Sequence, residues 1–595
     1  MQMDAPDSPT AGSVSTETPS NDAALVGIIL GITLLIYLRT LSFDFVYDDL
    51  SQIVGNESVK SWRFVPLYFR THVWEYLYPG VGGSSFYRPL FLLFCLLNHS
   101  LFGLRPMAWH ASAVLLHLAA TALTFLAIRK LTANRLTAAL TALLFGVHPI
   151  HVEAVAWVSG VTESLFAVPF LGAFLAYLQS REGNAKRWTA VSLLLYAASL
   201  LCKETAIVLP ILVLAHAWIY YAGEEPRTAQ DQRLRAWNAA RNAAPYLPVL
   251  VAYLGVRVAV LKGIGNFVTP LPISTILLTW PSLLLIYLRQ LVFPVGLSLF
   301  YDVPYVKRFD VAHVLAPVLL ILLVVAAVWY WQRRSDSREV ELASVWIVAP
   351  LLPLLNLSYL QELEFVHDRY LYLPSIGFAL LAALALQKLP TGGKFLYRFP
   401  SSLVIAAGVL TAVLCLGTVL QTAPWRDELA LYSHIVRIAP HNWTARNNLA
   451  RVYTKLGRQQ EAIALYLQIL RENPNFWLAN YNLGYHSYRT GKLDDAEKYL
   501  VHATQINPFE PDQYLFLGLT RLRLGRTGDA AADLSRAIAL RPYGRGYHFA
   551  LGMILKQEGN CPAARGEFQA ELAIDSRNPL VRQELAKCES VISGR

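Results

Sequence analysis

Two adjacent carboxylates, Asp48 and Asp49, follow directly on the first apolar run of membrane length, residues 24–41, in the stretch Phe43-Asp44-Phe45-Val46-Tyr47-Asp48-Asp49-Leu50. Ionisable side chains where a helix leaves a bilayer are costly, and in that position they mark proton abstraction or cation binding. A solvated pair capping a short helix is the plain alternative. The other ionisable residues near span ends are Arg88, the group His148-Pro149-Ile150-His151-Val152-Glu153, Glu163, Lys203-Glu204 and His367-Asp368-Arg369.

Together these residues offer two kinds of chemistry. A carboxylate can deprotonate a hydroxyl, and cations can hold a phosphate leaving group, which are the two requirements of sugar transfer from a lipid phosphate. Asp48 or Asp49 serves as the base, with Asp49 a little ahead. Arg369, Lys203 and Arg88 are the cationic candidates for the donor phosphate, the arginines being the better clamps because a guanidinium donates two hydrogen bonds at once. His148, His151, Glu153, Glu163, Glu204, His367 and Asp368 are acceptor-side or accessory candidates. Each has a blander reading. Arg369 could be an interfacial arginine that only sets orientation. Lys203-Glu204 could be an ion pair in a tight turn. His148 and His151 stand three apart across a proline turn, which favours structural hydrogen bonds over metal ligation.

The elements that must position these residues are membrane helices. Of 595 residues, 55% are hydrophobic and 15% charged, well below the charged share of a soluble domain. Candidate spans are 24–41, 88–104, 109–131, 135–148, 152–180, 188–202, 205–222, 243–261, 275–293, 311–331, 341–357, 370–388 and 401–420, which predicts 10 to 13 crossings of an all-helical bundle. The runs 135–148 and 188–202 are short enough to be tilted or half-spans. Residues 1–23 carry no Lys or Arg, so they read as a disordered tail before a retained span rather than as a cleaved signal.

Five basic loops orient the bundle: Arg129/Lys130/Arg135, Arg181/Lys186/Arg187, Arg227/Arg233/Arg235/Arg241, Arg333/Arg334/Arg338 and Lys388/Lys394/Arg398. Placing all five in the cytoplasm puts the candidate site and everything after 420 on the opposite face. The alternation fails once between 243 and 310, where one segment, 275–293 or a neighbour, reads as re-entrant. Lys and Arg outnumber Asp and Glu by 22 to 17 from 421 onward and by 29 to 24 before it. Neither half has the dense basic face of a nucleic-acid binder. Cys95, Cys202 and Cys415 lie in apolar runs as packing residues. Cys561 and Cys588 are either free thiols or a disulfide, and no cysteine spacing suggests a metal site.

After 420 a period of 34 residues sets in. Gly457, Gly491, Gly525 and Gly559 keep it, as do Ala462, Ala496, Ala530 and Ala564, and Pro474, Pro508 and Pro542. This is the tetratricopeptide (TPR) period of paired antiparallel helices. The division is a linker or first helix at 421–442, four repeats over 443–578, and a capping helix and tail at 579–595.

The ordered motifs Asp44-Phe-Val-Tyr-Asp-Asp49, Tyr87-Arg-Pro-Leu90, His148-Pro-Ile-His-Val-Glu153, Cys202-Lys-Glu204 and Arg369-Tyr-Leu-Tyr-Leu-Pro374, followed by the repeats, resemble the transmembrane-and-TPR-containing protein O-mannosyltransferases of the GT-C superfamily. The resemblance covers about residues 24–580 and places the family's acidic motif on Asp48 and Asp49. It implies a polyprenyl- or dolichyl-phosphate mannose donor, a Ser/Thr hydroxyl acceptor on a protein engaged by the repeats, and metal-independent inverting transfer. His148, His151 and Glu153 keep a divalent cation open. Animal members carry more repeats, and the match around Lys203-Glu204-Thr205 is approximate. The short loops point to a bacterial inner membrane with periplasmic repeats; in a eukaryote the counterpart is the endoplasmic reticulum membrane with lumenal repeats.

Two other classes fit parts of the sequence. A membrane-anchored repeat scaffold would need one span rather than ten. A transporter of lipid-linked saccharides would place its ionisable residues at mid-membrane and show internal symmetry of hydropathy.

Overall fold

The computed structural model describes residues 20–76, 86–220, 228–261, 271–360, 362–390, 393, 395–396 and 399–593. The expected tail over 1–19, together with Arg227, Lys394 and Arg398 of the basic loops, lies outside the described residues. Residues 20–23, assigned to the tail from sequence, instead begin the first helix, Ser20–Tyr37.

Helices dominate, and the chain is a multi-pass membrane protein with a C-terminal repeat array. Among the described residues, six helices are long and apolar enough to cross a bilayer: Asp22–Ser42, Pro106–Thr132, Ser159–Ser180, Ile273–Val292, Val311–Ser335 and Ser401–Arg426. Two bent pairs raise the number to eight, Arg135–Val147 with Pro149–Ala156 at 50° and Gln230–Ala243 with Tyr246–Leu261 at 48°. Three shorter apolar helices, Pro89–Phe102, Glu204–Ile219 and Pro374–Leu386, fall below the ~20 residues a span requires. This is fewer than the 10 to 13 crossings read from hydropathy, and proline is a main cause. The run 341–357, for example, is helical only to Val348, after which Pro350 and Pro353 sit in a 3-10 turn over Ala349–Leu355. The run 275–293 falls on the 20-residue helix Ile273–Val292. The break in that region falls at residues 244–245 instead.

The basic loops converge at one end of the bundle. Lys130 pairs with Glu182, Arg181 bonds Asn242 at 2.9 Å, Thr137 meets Gln387 at 3.0 Å, and Arg235, Arg333 and Arg338 line one groove. A two-residue hairpin, Phe395–Leu396 with Phe399–Pro400, is the sole β structure among the described residues.

The repeats form as their period predicts: Trp443–Lys455 with Gln459–Glu472, Trp477–Arg489 with Leu493–Ile506, Pro511–Arg523 with Thr527–Leu540, Tyr547–Gln557 with Cys561–Ile574, then the capping helix Pro579–Ile592. Each first helix ends at a left-handed glycine, with φ between 78° and 80° at Gly457, Gly491, Gly525 and Gly559. The small residue inside that helix has a different cause: a Cβ on Gly484 would lie 2.6 Å from Leu500 Cγ, so the paired helices approach too closely for any side chain. Cys561 and Cys588 are free thiols buried in one cluster between the last two helices.

The array is fastened to the membrane part. Trp425 stacks on Trp157 at 6.0 Å, His434 Nε2 meets the Leu297 carbonyl at 2.8 Å, the His441 amide donates to Asp302 at 2.9 Å, and Asn442 donates to the Leu363 carbonyl at 3.3 Å.

Candidate functional site

Beyond the first span the chain runs extended to Tyr47 and then turns. Tyr47 is held at φ 55°, a conformation costly for a bulky side chain, and a π turn follows at Leu50–Val54. This turn separates the two carboxylates. Asp49 is fully buried, and its oxygens accept from the Val46 amide at 3.1 Å and the Ser159 amide at 2.7 Å. It ties the first loop to the start of the helix Thr162–Ser180. Asp48 is half-buried, accepts one bond from Gln52 at 3.3 Å, and faces a cavity.

That cavity, of about 430 Å³, brings together Asp48, Arg88, Lys203, Glu204 and Arg369. Burial raises the Asp48 carboxyl to about 7, helped by the adjacent Asp49 charge and opposed by Arg369. Burial also raises Asp49, to about 6, against the lowering effect of its hydrogen bonds.

Each sequence-predicted cation is braced by a carboxylate from another element. Arg88 is bidentate to Glu204, at 3.0 and 2.5 Å. Lys203 pairs with Glu163, both side chains fully buried, and its ammonium lies 5.3 Å over the Tyr370 ring. Arg369 pairs with Glu153, which also accepts the Arg369 amide at 2.9 Å, and the guanidinium lies 5.3 Å over Trp157. Lys203 and Glu204, neighbours in sequence, therefore serve different partners. The guanidiniums and the ammonium are thus each held by a carboxylate and an aromatic ring or a second hydrogen bond.

The remaining candidates stand behind this layer. His148 Nε2 meets the Leu291 carbonyl at 3.0 Å and its Nδ1 accepts from the Ile150 amide; His151 meets Ser375 at 2.8 Å. His367 meets the Leu299 carbonyl at 3.0 Å, and Asp368 accepts from Ser298 and Tyr301. His148, His151 and Glu153 thus turn to three different partners, and among the described residues no group of three or more His, Cys, Asp or Glu could hold a metal ion.

Of the charged residues that line the cavity, Arg257 was missed from sequence. It lines the site from the helix Tyr246–Leu261. An arginine inside an apolar run of membrane length is itself a functional signal.

The tetratricopeptide repeat family matches residues 427–475, 447–511 and 517–579. Over 451 residues the chain is 26% identical to the human protein O-mannosyl-transferase TMTC3, covering 71% of this chain and 48% of that protein. Human TMTC1 is 28% identical over 499 residues, 74% of this chain and 54% of the relative. The chain is similar in sequence to these protein O-mannosyl-transferases. It spans about half the length of the curated relatives it matches. The Caenorhabditis elegans protein O-mannosyl-transferase F38B6.6 is 27% identical, over 73% of this chain and 61% of its own length. Among solved structures, the TPR protein YrrB is 19% identical over 28% of this chain and 84% of its own, with a TM-score of 0.26.

Proposed function

We propose that this chain is a membrane glycosyltransferase that moves a sugar from a polyprenyl-phosphate donor to a Ser or Thr hydroxyl of a protein. Mannose is the sugar that the relatives' names suggest. The observation that carries the reading is the single cavity where one base-competent carboxylate, Asp48, faces Arg88, Lys203 and Arg369.

Asp48 rather than Asp49 is the base, because both Asp49 oxygens are engaged by backbone amides while Asp48 faces the cavity. The acceptor oxygen attacks the anomeric carbon as its proton passes to Asp48. The bond from that carbon to the phosphate oxygen breaks, and the electron pair stays on the phosphate. Arg369, Arg88 and Lys203 hold the growing phosphate charge, with Arg257 added to that set. Glu153, Glu204 and Glu163 orient the three cations, and Asp49 fixes the loop that carries the base. His148, His151, His367 and Asp368 hold the surrounding turns. The repeats, fastened at Asp302 and Leu363, present the protein acceptor, and the positive-inside rule favours the extracytoplasmic face for both.

The test is transfer in membranes carrying the chain, supplied with a synthetic polyprenyl-phosphate mannose and a Ser/Thr peptide, read as a hexose-sized mass gain on the peptide. The wild type transfers and Asp48→Asn does not. Arg369→Ala transfers with a raised KM for the donor. Full activity of Asp48→Asn would show that another group is the base, and a wild type that transfers nothing would leave the repeat-scaffold reading ahead.

A further inference from the structure

The first helix of each of the first three repeats ends in a basic residue: Lys455, Arg489 and Arg523, 34 positions apart. Successive first helices pack on one another more closely than successive second helices do, so the array curves with the first helices on its concave side. A cation in the last turn suits the helix dipole, and that alone would account for the period. What the three cations meet, however, differs from repeat to repeat.

Five arginines stand on these first helices: Arg446, Arg451, Arg489, Arg521 and Arg523. Arg446 is held by Glu472, Arg451 by Glu428 at 3.1 Å, and Arg521 by Glu497 and Asp533, both at 2.9 Å. Lys455 is paired as well, with Glu428 at 2.6 Å. Arg489 and Arg523 are exposed. Among the described residues they meet tyrosines and no carboxylate. Arg489 lies 6.0 Å over the Tyr485 ring, and Arg523 lies 5.2 Å over Tyr488 while donating to the Tyr488 carbonyl at 2.9 Å.

The rings continue the patch across two repeats. Phe516, on the next first helix, lies 4.6 Å from Tyr485, 5.8 Å from Tyr488 and 6.2 Å from Tyr481. All four rings are half-buried, and Tyr481, Tyr488 and Phe516 rest on a core of Ala496, Leu500 and Leu517. The acidic residues that precede Phe516 are already occupied: Arg541 meets Glu510 and Asp512 at 3.5 Å, and Tyr547 donates to Asp512 at 2.5 Å. An aromatic floor is thus bordered by two guanidiniums that face rings rather than counter-ions.

We propose that this patch docks an extended segment of the acceptor protein that carries Asp or Glu side chains beside an aromatic one. The proposal deepens the transferase reading and rests on it, in that the repeats present the acceptor. A guanidinium over a ring keeps N–H donors for a carboxylate, which can take two parallel hydrogen bonds from it. An aromatic side chain of the segment packs on the exposed edges of Tyr485 and Phe516. Tyrosine and arginine together are the residue types that anchor interfaces, and the unpaired positive charge rejects segments rich in lysine. The Ser or Thr that is modified is then chosen by its acidic neighbours as well as by the cavity.

The experiment measures fluorescence anisotropy with the full chain in detergent. The probe is a fluorescein-labelled Ser/Thr peptide holding two aspartates and a phenylalanine, beside forms with asparagines or lysines in place of the aspartates. At low salt the wild type binds the aspartate form about tenfold more tightly than the asparagine form, the lysine form binds weakest, and added salt shrinks the difference. Replacing the phenylalanine by serine weakens binding further. The double variant Arg489→Glu/Arg523→Glu loses the preference and binds the lysine form better than the wild type does. Its kcat/KM for transfer falls on the aspartate peptide and is unchanged on the asparagine peptide. Equal binding of the three peptides by the wild type overturns the proposal. So does an unchanged preference in the double glutamate variant or, should that variant not accumulate, in Arg489→Gln/Arg523→Gln. A wild type that prefers the aspartate peptide yet transfers to none of them overturns the transferase reading instead.

Discussion

At residue scale the decisive contrast is between Asp48 and Asp49, which the sequence presents as equals. The turn forced at Tyr47 sends one carboxylate to backbone amides and the other to the cavity. Asp48→Asn should lower transfer by about 10²–10⁴ while the protein still inserts and melts at the wild-type temperature. Asp49→Asn should do the reverse. Its amide group cannot accept from both Val46 and Ser159, and leaving one buried N–H unpaired costs about 1–3 kcal/mol, seen as a lower melting temperature in detergent. The pH dependence follows from the same burial. Only ionised Asp48 can take a proton, and its carboxyl sits near 7 rather than in the usual range. Transfer should thus climb as pH rises through about 7; a limb that is already flat from pH 5 upward would show that another group is the base. The doublet was legible in the sequence, whereas the division of labour was not, because it depends on one backbone angle. Arg257 escaped for a different reason: it lies inside the apolar run 243–261 and was read as part of it.

At the scale of elements, the site depends on carboxylates arriving from helices and turns remote from the cations they hold. Glu163, near the start of the helix Thr162–Ser180, and Lys203, which caps the helix Ala185–Cys202, meet in a fully buried pair. Removing one partner of such a pair strands the other charge and costs about 3–5 kcal/mol. Glu163→Gln should accordingly lower the melting temperature and raise the donor KM together, whereas Glu204→Gln, beside the half-buried Arg88, should act mainly on the donor KM. The repeat helices were the most legible elements, since a strict 34-residue period reports glycine geometry and helix spacing directly. Gly484→Val tests this: overpacking against Leu500 should destabilise the array by about 1–3 kcal/mol, read as earlier loss of repeat helicity on heating. Membrane helices were less legible, because hydropathy counts apolar residues without registering where Pro350 or Pro353 breaks a span.

At the scale of the whole molecule, orientation and mechanism become one question. The basic loops gather at one end, through Lys130 with Glu182, Arg181 with Asn242, Thr137 with Gln387, and the shared groove of Arg235, Arg333 and Arg338. The repeats are fastened at Asp302, Leu297 and Leu363, the last on the segment that carries Arg369 to the cavity. If the basic end is cytoplasmic, as lysine and arginine bias requires, the repeats and Asp48 face outward together. An alkaline phosphatase fused after residue 430 should then be active in a bacterial host, and a green fluorescent protein at the same place should be dark. Because the repeats and the cavity share one set of contacts, the reverse result would move both at once. Asp48 would face the cytoplasm, and the donor would have to present its sugar there. Orientation measured at one position thus decides which membrane face supplies the substrate.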